Sequence, residues 1–474
     1  MAGIMKNEAR RRVLTLALPV VMEQAGVMLL GIINTIMVGR LGKEAVSAVG
    51  MVDMFNRCIF PLFSGISTGG TIMVAHAIGR GEKEKAGEIA KQAVYSGTVL
   101  AIIIAVVIAL LKRPILYLLY GAAEDTVMEY ALAYFRITIY SYPFMFIYYL
   151  INGVLRGSGD TKTPMRVTLF MNCINAVLSY FLIYGLHINS LSLRINLEGY
   201  GVEGAAVGIS IARVIGAAID AAILFRGRRI IRIRAWNKYR LKIKTLLEIL
   251  RLGVPYALEQ FSMQTGKLIL QVIIIGMGTI AIAANTIGMS IMSLCITLGY
   301  GFNLAAVTLV GQALGAGNPE RAHTDTKEVM KINLLLMFSM SIVIIIFAPQ
   351  LFSLYSDDKE VIACGVGIIR IYALSQPLLA VVQVLSGSLR GGGDTKYPMI
   401  ATFIGVWLFR LLFGYLLGVL FHMGIAGVWV AMSIDLALRA VLFILRYKKG
   451  KWKTLIVERE AKNELAECLS PTKE

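Results

Sequence analysis

Charge is scarce in this chain. Asp, Glu, Lys and Arg together make up 16% of the 474 residues, too little to keep a soluble globule of this length in water. Cysteine is sparse as well. Cys58, Cys173, Cys295, Cys364 and Cys468 show no pairing or ligand spacing, so neither a disulfide framework nor a zinc site is expected. Acid is short relative to base, 29 residues against 47, for a formal net charge of +18. Basic cytoplasmic loops of a membrane protein produce the same excess, so no nucleic-acid partner follows from it. No nucleophile, P-loop or metal-ligand motif is present.

What remains is apolar. Hydrophobic residues make up 57% of the chain and the mean hydropathy is +0.71. Apolar stretches of about 20 residues recur throughout, the length needed to cross a hydrocarbon core. The expected fold is an all-α polytopic membrane protein with twelve spans. Those of the first half lie near 13–38, 47–76, 89–111, 128–152, 165–186 and 202–225. Those of the second half lie near 252–275, 284–312, 329–349, 363–388, 398–420 and 425–446. The basic patch Arg10 to Arg12 resembles the start of a signal peptide, but the apolar run continues past Pro19 and Glu23 to Val38. It reads as an uncleaved first span.

The chain is written twice. Residues 155–164 read L-R-G-S-G-D-T-K-T-P and residues 389–398 read L-R-G-G-G-D-T-K-Y-P, eight of ten positions being identical. A-L-P-V-V-M-E-Q around Glu23 pairs with G-V-P-Y-A-L-E-Q around Glu259, and V-A-H-A-I-G-R-G (74–81) pairs with V-G-Q-A-L-G-A-G (310–317). Six spans per half make the halves parallel repeats about an axis along the membrane normal, with a cleft between two pseudo-symmetric bundles. The divisions expected are a first bundle over 1–225, a basic cytoplasmic linker over 226–251, a second bundle over 252–450 and a cytoplasmic tail over 451–474. Lys and Arg crowd the linker and the tail, which puts both termini, and both copies of the polar hairpin, on the cytoplasmic side.

Glu23 and Glu259 each follow a proline by one turn inside a span. An intramembrane acid is costly and is a functional candidate by default. Asp53 and Arg57 stand i, i+4 in span two, and Asp435 and Arg439 repeat that spacing in span twelve. With Arg410 and Arg213 they read as charge partners inside the bundle, with a charge relay as the alternative. The hairpin residues Arg156, Asp160, Arg390 and Asp394 read as structural and gating elements at helix ends. G-S-G-D and G-G-G-D also match the pattern of intramembrane aspartyl proteases, but both copies sit in equivalent interfacial turns, and no enzyme is expected.

The A-L-P near the start, M-V-G-R-L-G at 37–42, the doubled R-G-x-G-D-T-K-x-P and the two six-helix halves resemble the multidrug and toxic compound extrusion (MATE) family over roughly residues 10–450. The resemblance implies a twelve-helix antiporter of the inner (cytoplasmic) membrane. It would export lipophilic or cationic organic compounds in exchange for protons or sodium ions, by alternating access. It would need no cofactor beyond the ion gradient, and is expected to act as a monomer in contact with membrane lipid. The alternative is a lipid-linked precursor flippase of related architecture. Many family members carry an aspartate before T-x-x-V-G in span one and another after N-x-x-L in span five. Those positions are Asn34 and Ser179 here, with Asn175 retained. Neither Asn nor Ser can carry a proton, although both can ligate sodium, the one metal ion this reading allows. Ion coupling is therefore expected at Glu259, Glu23 and Asp53.

Overall fold

The structure, a computed structural model, describes residues 2–121, 123–190, 193–226 and 241–455. It is a helical bundle traversed back and forth. The first half runs α1 (Ala2–Gly39), α2 (Lys43–Gly79), α3 (Lys83–Tyr120), α4 (Asp125–Tyr140), α5 (Tyr142–Gly157), α6 (Lys162–Tyr184) and α7 (Gly201–Arg226). The second half repeats it as α8 (Ile243–Ile275), α9 (Thr279–Gly315), α10 (Pro319–Ser353), α11 (Lys359–Ala373), α12 (Gln376–Gly391), α13 (Lys396–Leu420) and α14 (Gly424–Lys448). Among the described residues nine helices are long and apolar enough to cross a membrane, ten if the bent pair α11 and α12 is one span. The other two of the twelve places are taken by the broken pair α4 and α5 and by α8, which carries Glu248, Arg251, Glu259 and Lys267.

The repeat extends to the breaks. Span four breaks at Ser141, with Pro143 in the next turn, and the tenth span breaks at Leu374–Ser375, with Pro377 in the next turn. Proline cannot donate to the preceding turn, and each serine hydroxyl takes a nearby carbonyl instead, Thr138 for Ser141 and Tyr372 for Ser375, both at 2.7 Å. Within α13, Ile404–Leu411 and Leu416–Leu420 are π-helical. Among the described residues the one sheet is a short antiparallel hairpin between α6 and α7, β1 (Leu186–Ser190) with β2 (Leu193–Leu197).

Two expected boundaries move. The eighth helix begins at Ile243, inside the stretch read as linker, and residues 227–240 of that stretch lie outside the described residues. The tail does not leave the fold at 451: Trp452 is buried, bonds to the Tyr447 carbonyl and packs on Gly392 of the second hairpin. Residues 456–474 of the tail lie outside the described residues.

Both polar hairpins lie at one end of the bundle, called the hairpin face here. The two halves meet along it. A Cβ on Gly65 would lie 2.7 Å from the Gly253 carbonyl, and one on Gly253 2.4 Å from the Gly65 carbonyl. Lower down, Gly79 and Gly315 face Gln312 and His76 as closely, at 2.2 and 2.3 Å. Small residues let helix backbones approach in a membrane, where packing replaces the hydrophobic drive. The backbone approach at Gly79 leaves no room for a branched side chain. Gly79→Val is expected to destabilise the closed hairpin face by about 1–3 kcal/mol, read as a lower melting temperature of purified protein, whereas Gly39→Val, at a position with open space around it, should leave melting unchanged.

In the hairpins themselves, the Asp160 carboxylate accepts from the Thr163 amide at 3.0 Å and from its hydroxyl at 2.7 Å. Asp394 accepts from the Tyr397 amide at 3.3 Å and from Arg446 at 2.7 Å. Each aspartate thus satisfies the free amides that start the next helix. Asp160→Ala is expected to cost about 1 kcal/mol and to lower folded yield without changing substrate affinity in a binding titration.

Candidate functional site

The residues singled out from sequence fall into three groups. The first is a pair of buried triads. Arg156, in the last turn of α5, reaches back along the bundle and donates to Glu23 of α1; Thr168 of α6 donates to the same oxygen at 3.0 Å, and Tyr148 bonds to Thr168. Arg390 of α12 donates to Glu259 of α8 at 2.7 Å, with Thr402 of α13 on the same oxygen at 3.1 Å. The second copy adds Asn303 on the guanidinium at 3.3 Å and the ring of Tyr256 at 4.7 Å. Sequence reading kept these residues apart, with the glutamates as ion-coupling candidates and the arginines at a polar interface. The structure joins them. A guanidinium has the length to leave an interfacial turn and enter the bundle, where it supplies the counter-charge that a buried carboxylate requires. A glutamate with a built-in partner has little reason to take its counter-charge from solution.

The second group lies in the half of the first bundle away from the hairpin face. Asn34 of α1, Asp53 of α2, Tyr134 of α4 and Ser179 of α6 line one pocket of about 200 Å³, closed by Ala205 and Ile209 of α7. Asn175 accepts from Ser179 at 2.9 Å. The Asn34 Oδ1 and Asn175 Nδ2 atoms are buried without a protein hydrogen-bond partner. Asp53 is the pocket's one carboxylate and is exposed within it. The ion pair expected between Asp53 and Arg57 does not close. Asp53 instead has Arg213 of α7 as its foremost charged neighbour, ahead of Arg57, and Arg213 is held by Ser141 at 2.9 Å. On a helix the i+4 side chain is near, but α7 brings a second cation whose charge acts on Asp53 more strongly.

The third group is in the second bundle. Asp435 accepts from Arg410 at 2.9 Å and from Arg439 at 2.8 Å, all three being buried. The i, i+4 pair read from sequence is present, and Arg410 joins it from the π-helical part of α13. Lys267 of α8, which sequence reading passed over, is exposed and has Arg410, Arg57 and Arg439 as charged neighbours. Arg57 belongs to the other bundle, so both side chains face the space between the halves. Asp220 of α7 and Asn152 of α5 were also missed. Asp220 is a lone acid in an apolar run (A-I-D-A-A), and its depth was the available signal.

The triads make a quantitative expectation. Arg390→Met strands a buried carboxylate and should cost about 3–5 kcal/mol. Glu259→Gln with Arg390→Met removes both charges and should cost far less. The measurement is a double-mutant cycle on thermal or denaturant stability, with a coupling above about 1.5 kcal/mol expected.

This architecture has known counterparts. The MatE family profile matches residues 19–181 and 255–416, one segment in each bundle. The chain is 30% identical over 467 residues to a probable multidrug resistance protein NorM of Thermotoga maritima, covering 97% of this chain and 96% of that protein. It is 25% identical to the multidrug resistance protein MdtK of Yersinia pseudotuberculosis, covering 92% of this chain and 95% of that one. Among solved structures it superimposes on the outward-facing conformation of a multidrug resistance MATE family transporter with a TM-score of 0.84, at 25% identity over 94% of this chain and 97% of that one. A transporter of the MOP superfamily from Pyrococcus furiosus, described as having a binding pocket of reverse polarity, gives the same TM-score and identity over 94% of this chain and 96% of that one. With its repeated helical halves and a profile match in each, the chain belongs to the MATE family of multidrug efflux transporters.

Proposed function

We propose that the protein is a secondary active exporter that couples outward movement of lipophilic compounds to inward movement of a cation, with the hairpin face toward the cytoplasm. The observation that carries this reading is the one-sided closure of the two bundles. The close glycine approaches between α2 and α8 and between α2 and α9 lie at or below the level of Gly65. Above it, Met54 and Arg57 of α2 and Lys267 and Val272 of α8 are exposed. Two repeated bundles that touch at one membrane face and part toward the other are the elements of alternating access. Lys and Arg around the hairpins and Arg226 support the cytoplasmic assignment. The chain then acts in the inner membrane as a monomer, and the closed face is the inward gate.

Asp53 is the proposed coupling group. It is the one carboxylate in a pocket whose other polar members, Asn34, Thr35, Tyr134 and Ser179, can ligate a cation or hydrogen-bond to its ligands without competing for its charge. The ion is a proton or sodium. Glu23 and Glu259 act in this reading as locks between helices, because each already holds an arginine. Asp53→Asn keeps the pocket's shape and removes its charge change, so it should abolish gradient-driven uptake of a fluorescent lipophilic cation into inverted vesicles, with binding affinity within about threefold of wild type. Glu259→Gln should lower stability but keep coupling. Loss of coupling in Glu259→Gln with full activity in Asp53→Asn would return the site to the second bundle.

One observation favours a second reading, export of a lipid-linked anion. Arg57, Lys267, Arg410 and Arg439 are charged neighbours against the single acid Asp435, and a basic cleft suits an anionic headgroup. Uptake of the fluorescent cation supports drug export; its absence, with translocation of an anionic lipid probe in the same vesicles, supports the second reading.

A further inference from the structure

Asp220 is completely buried and neither of its carboxylate oxygens has a protein hydrogen-bond partner. Beside it, both amide atoms of Asn152 are equally buried, near enough to act on the carboxylate but with no closed hydrogen bond to it. A polar group buried without partners costs about 1–3 kcal/mol, and two side by side call for something that both can hold. The charges do not balance either. Glu23 and Arg156 form one neutral pair, and both are neighbours of Asp220. Ionised Asp220 would leave the cluster with one uncompensated negative charge.

Among the described residues no other cation is a charged neighbour of it, and Arg166 of α6 is exposed. Its neighbours from α5 are Tyr148, Asn152 and Arg156, and from α1 Glu23. Thr168 of α6 is engaged with Glu23. The charged side chains of α4 lie toward the other membrane face, where Arg136 sits 3.8 Å from Glu203. On α7 itself Arg213 is two turns away and bonds to Ser141, and Arg226 is at the helix end. The second bundle has no such site: with G-V-E-G-A (201–205) aligned on G-I-A-G-V (424–428), Asp220 corresponds to Phe443, a fully buried hydrocarbon. Asp220 also lies outside both segments that the family profile matches.

We propose that Asp220 is a proton-exchange site on the cytoplasmic side of the first bundle, separate from the Asp53 pocket. Asn152 accepts the carboxyl proton through its amide oxygen when the group is neutral. On release, the proton leaves Asp220 for cytoplasmic water, and the cluster of Glu23, Arg156 and Asp220 goes from neutral to a charge of −1. That charge sits at the inward gate. The Arg156 carbonyl accepts from Thr308 of α9 at 3.1 Å, and the Gly157 carbonyl accepts from Gln312 at 3.0 Å. The same α5 turn therefore carries both the counter-charge of the acids and the bonds that close the two bundles. Release of the proton loosens the turn and favours opening of the hairpin face. This role rests on the proposed cytoplasmic assignment of that face, whereas the protonation itself does not.

The test is infrared difference spectroscopy of reconstituted protein, titrated between about pH 5 and 9. Asp53→Asn is expected to show the carbonyl band of a protonated carboxyl, and the double variant Asp53→Asn with Asp220→Asn to lose it. Should that variant fail to fold, carbon-13 labelling of aspartate must shift the band of Asp53→Asn, and adding Asp220→Glu must make the band insensitive to that label. In transport, the wild-type rate is expected to change at least about threefold between pH 6 and 8 on the cytoplasmic side, and that of Asp220→Asn less than about 1.5-fold. A band that persists when Asp220→Asn is added to Asp53→Asn overturns the inference. So does a wild-type protein with no such band whose melting temperature rises with sodium and ceases to do so in Asp220→Asn. A band lost in Asp220→Asn in a protein without ion-driven export leaves this site standing and removes the proposed function instead.

Discussion

The structure depends on a carboxylate and a guanidinium meeting inside a membrane bundle, twice. A lone glutamate at the depth of Glu23 or Glu259 would be prohibitive. An arginine in the last turn of the preceding hairpin helix makes it tolerable, because Arg156 and Arg390 each reach from a turn that must be polar into a bundle that must not be. The threonine on the helix after each hairpin completes the arrangement. Three helices of each half, α1, α5 and α6 or α8, α12 and α13, are thereby held in one register. Removing one partner costs more than removing both, so the pair constrains the fold more than it stabilises it.

A second constraint joins the halves, and it also obeys the repeat. His76 of α2 donates to the Gly391 carbonyl at 2.7 Å, and Gln312 of α9 donates to the Gly157 carbonyl at 3.0 Å. These are equivalent residues in V-A-H-A-I-G-R-G and V-G-Q-A-L-G-A-G, acting on equivalent glycines of the two hairpins. Each bundle grips the hairpin of the other. The glycines at 79 and 315 permit the approach that the grip requires. Both bonds lie between the bundles, so neither is part of a bundle's interior.

Against that symmetry, the differences are where transport chemistry can reside. The first bundle has Asn34, Asp53 and Ser179 around a pocket, where the repeat gives the second bundle Leu270, Met289 and Phe413. It also has Asp220 where the second has Phe443. The second bundle instead neutralises Asp435 with two arginines and buries Trp429 against Asn285 at 3.1 Å. In the proposed function the first half changes its charge and the second keeps it.

Composition, the repeated hairpin and the prolines were sufficient to read an all-helical membrane fold in two parallel halves, because span length and backbone hydrogen bonding leave a membrane chain few alternatives. They were also sufficient to single out Glu23, Glu259, Arg156 and Arg390, since a charge in an apolar run is visible in one dimension. Partnership was not visible. Glu23 and Arg156 are 133 residues apart, and no spacing rule links them. The same limit hid Arg213 beside Asp53, Lys267 beside Arg410, and the unpartnered contact of Asp220 with Asn152. Helical periodicity reports which face a side chain occupies on its own helix. Which helix stands opposite that face, and at what depth, is decided by packing the helices together, and that arrangement alone determines which charges meet and which are left over.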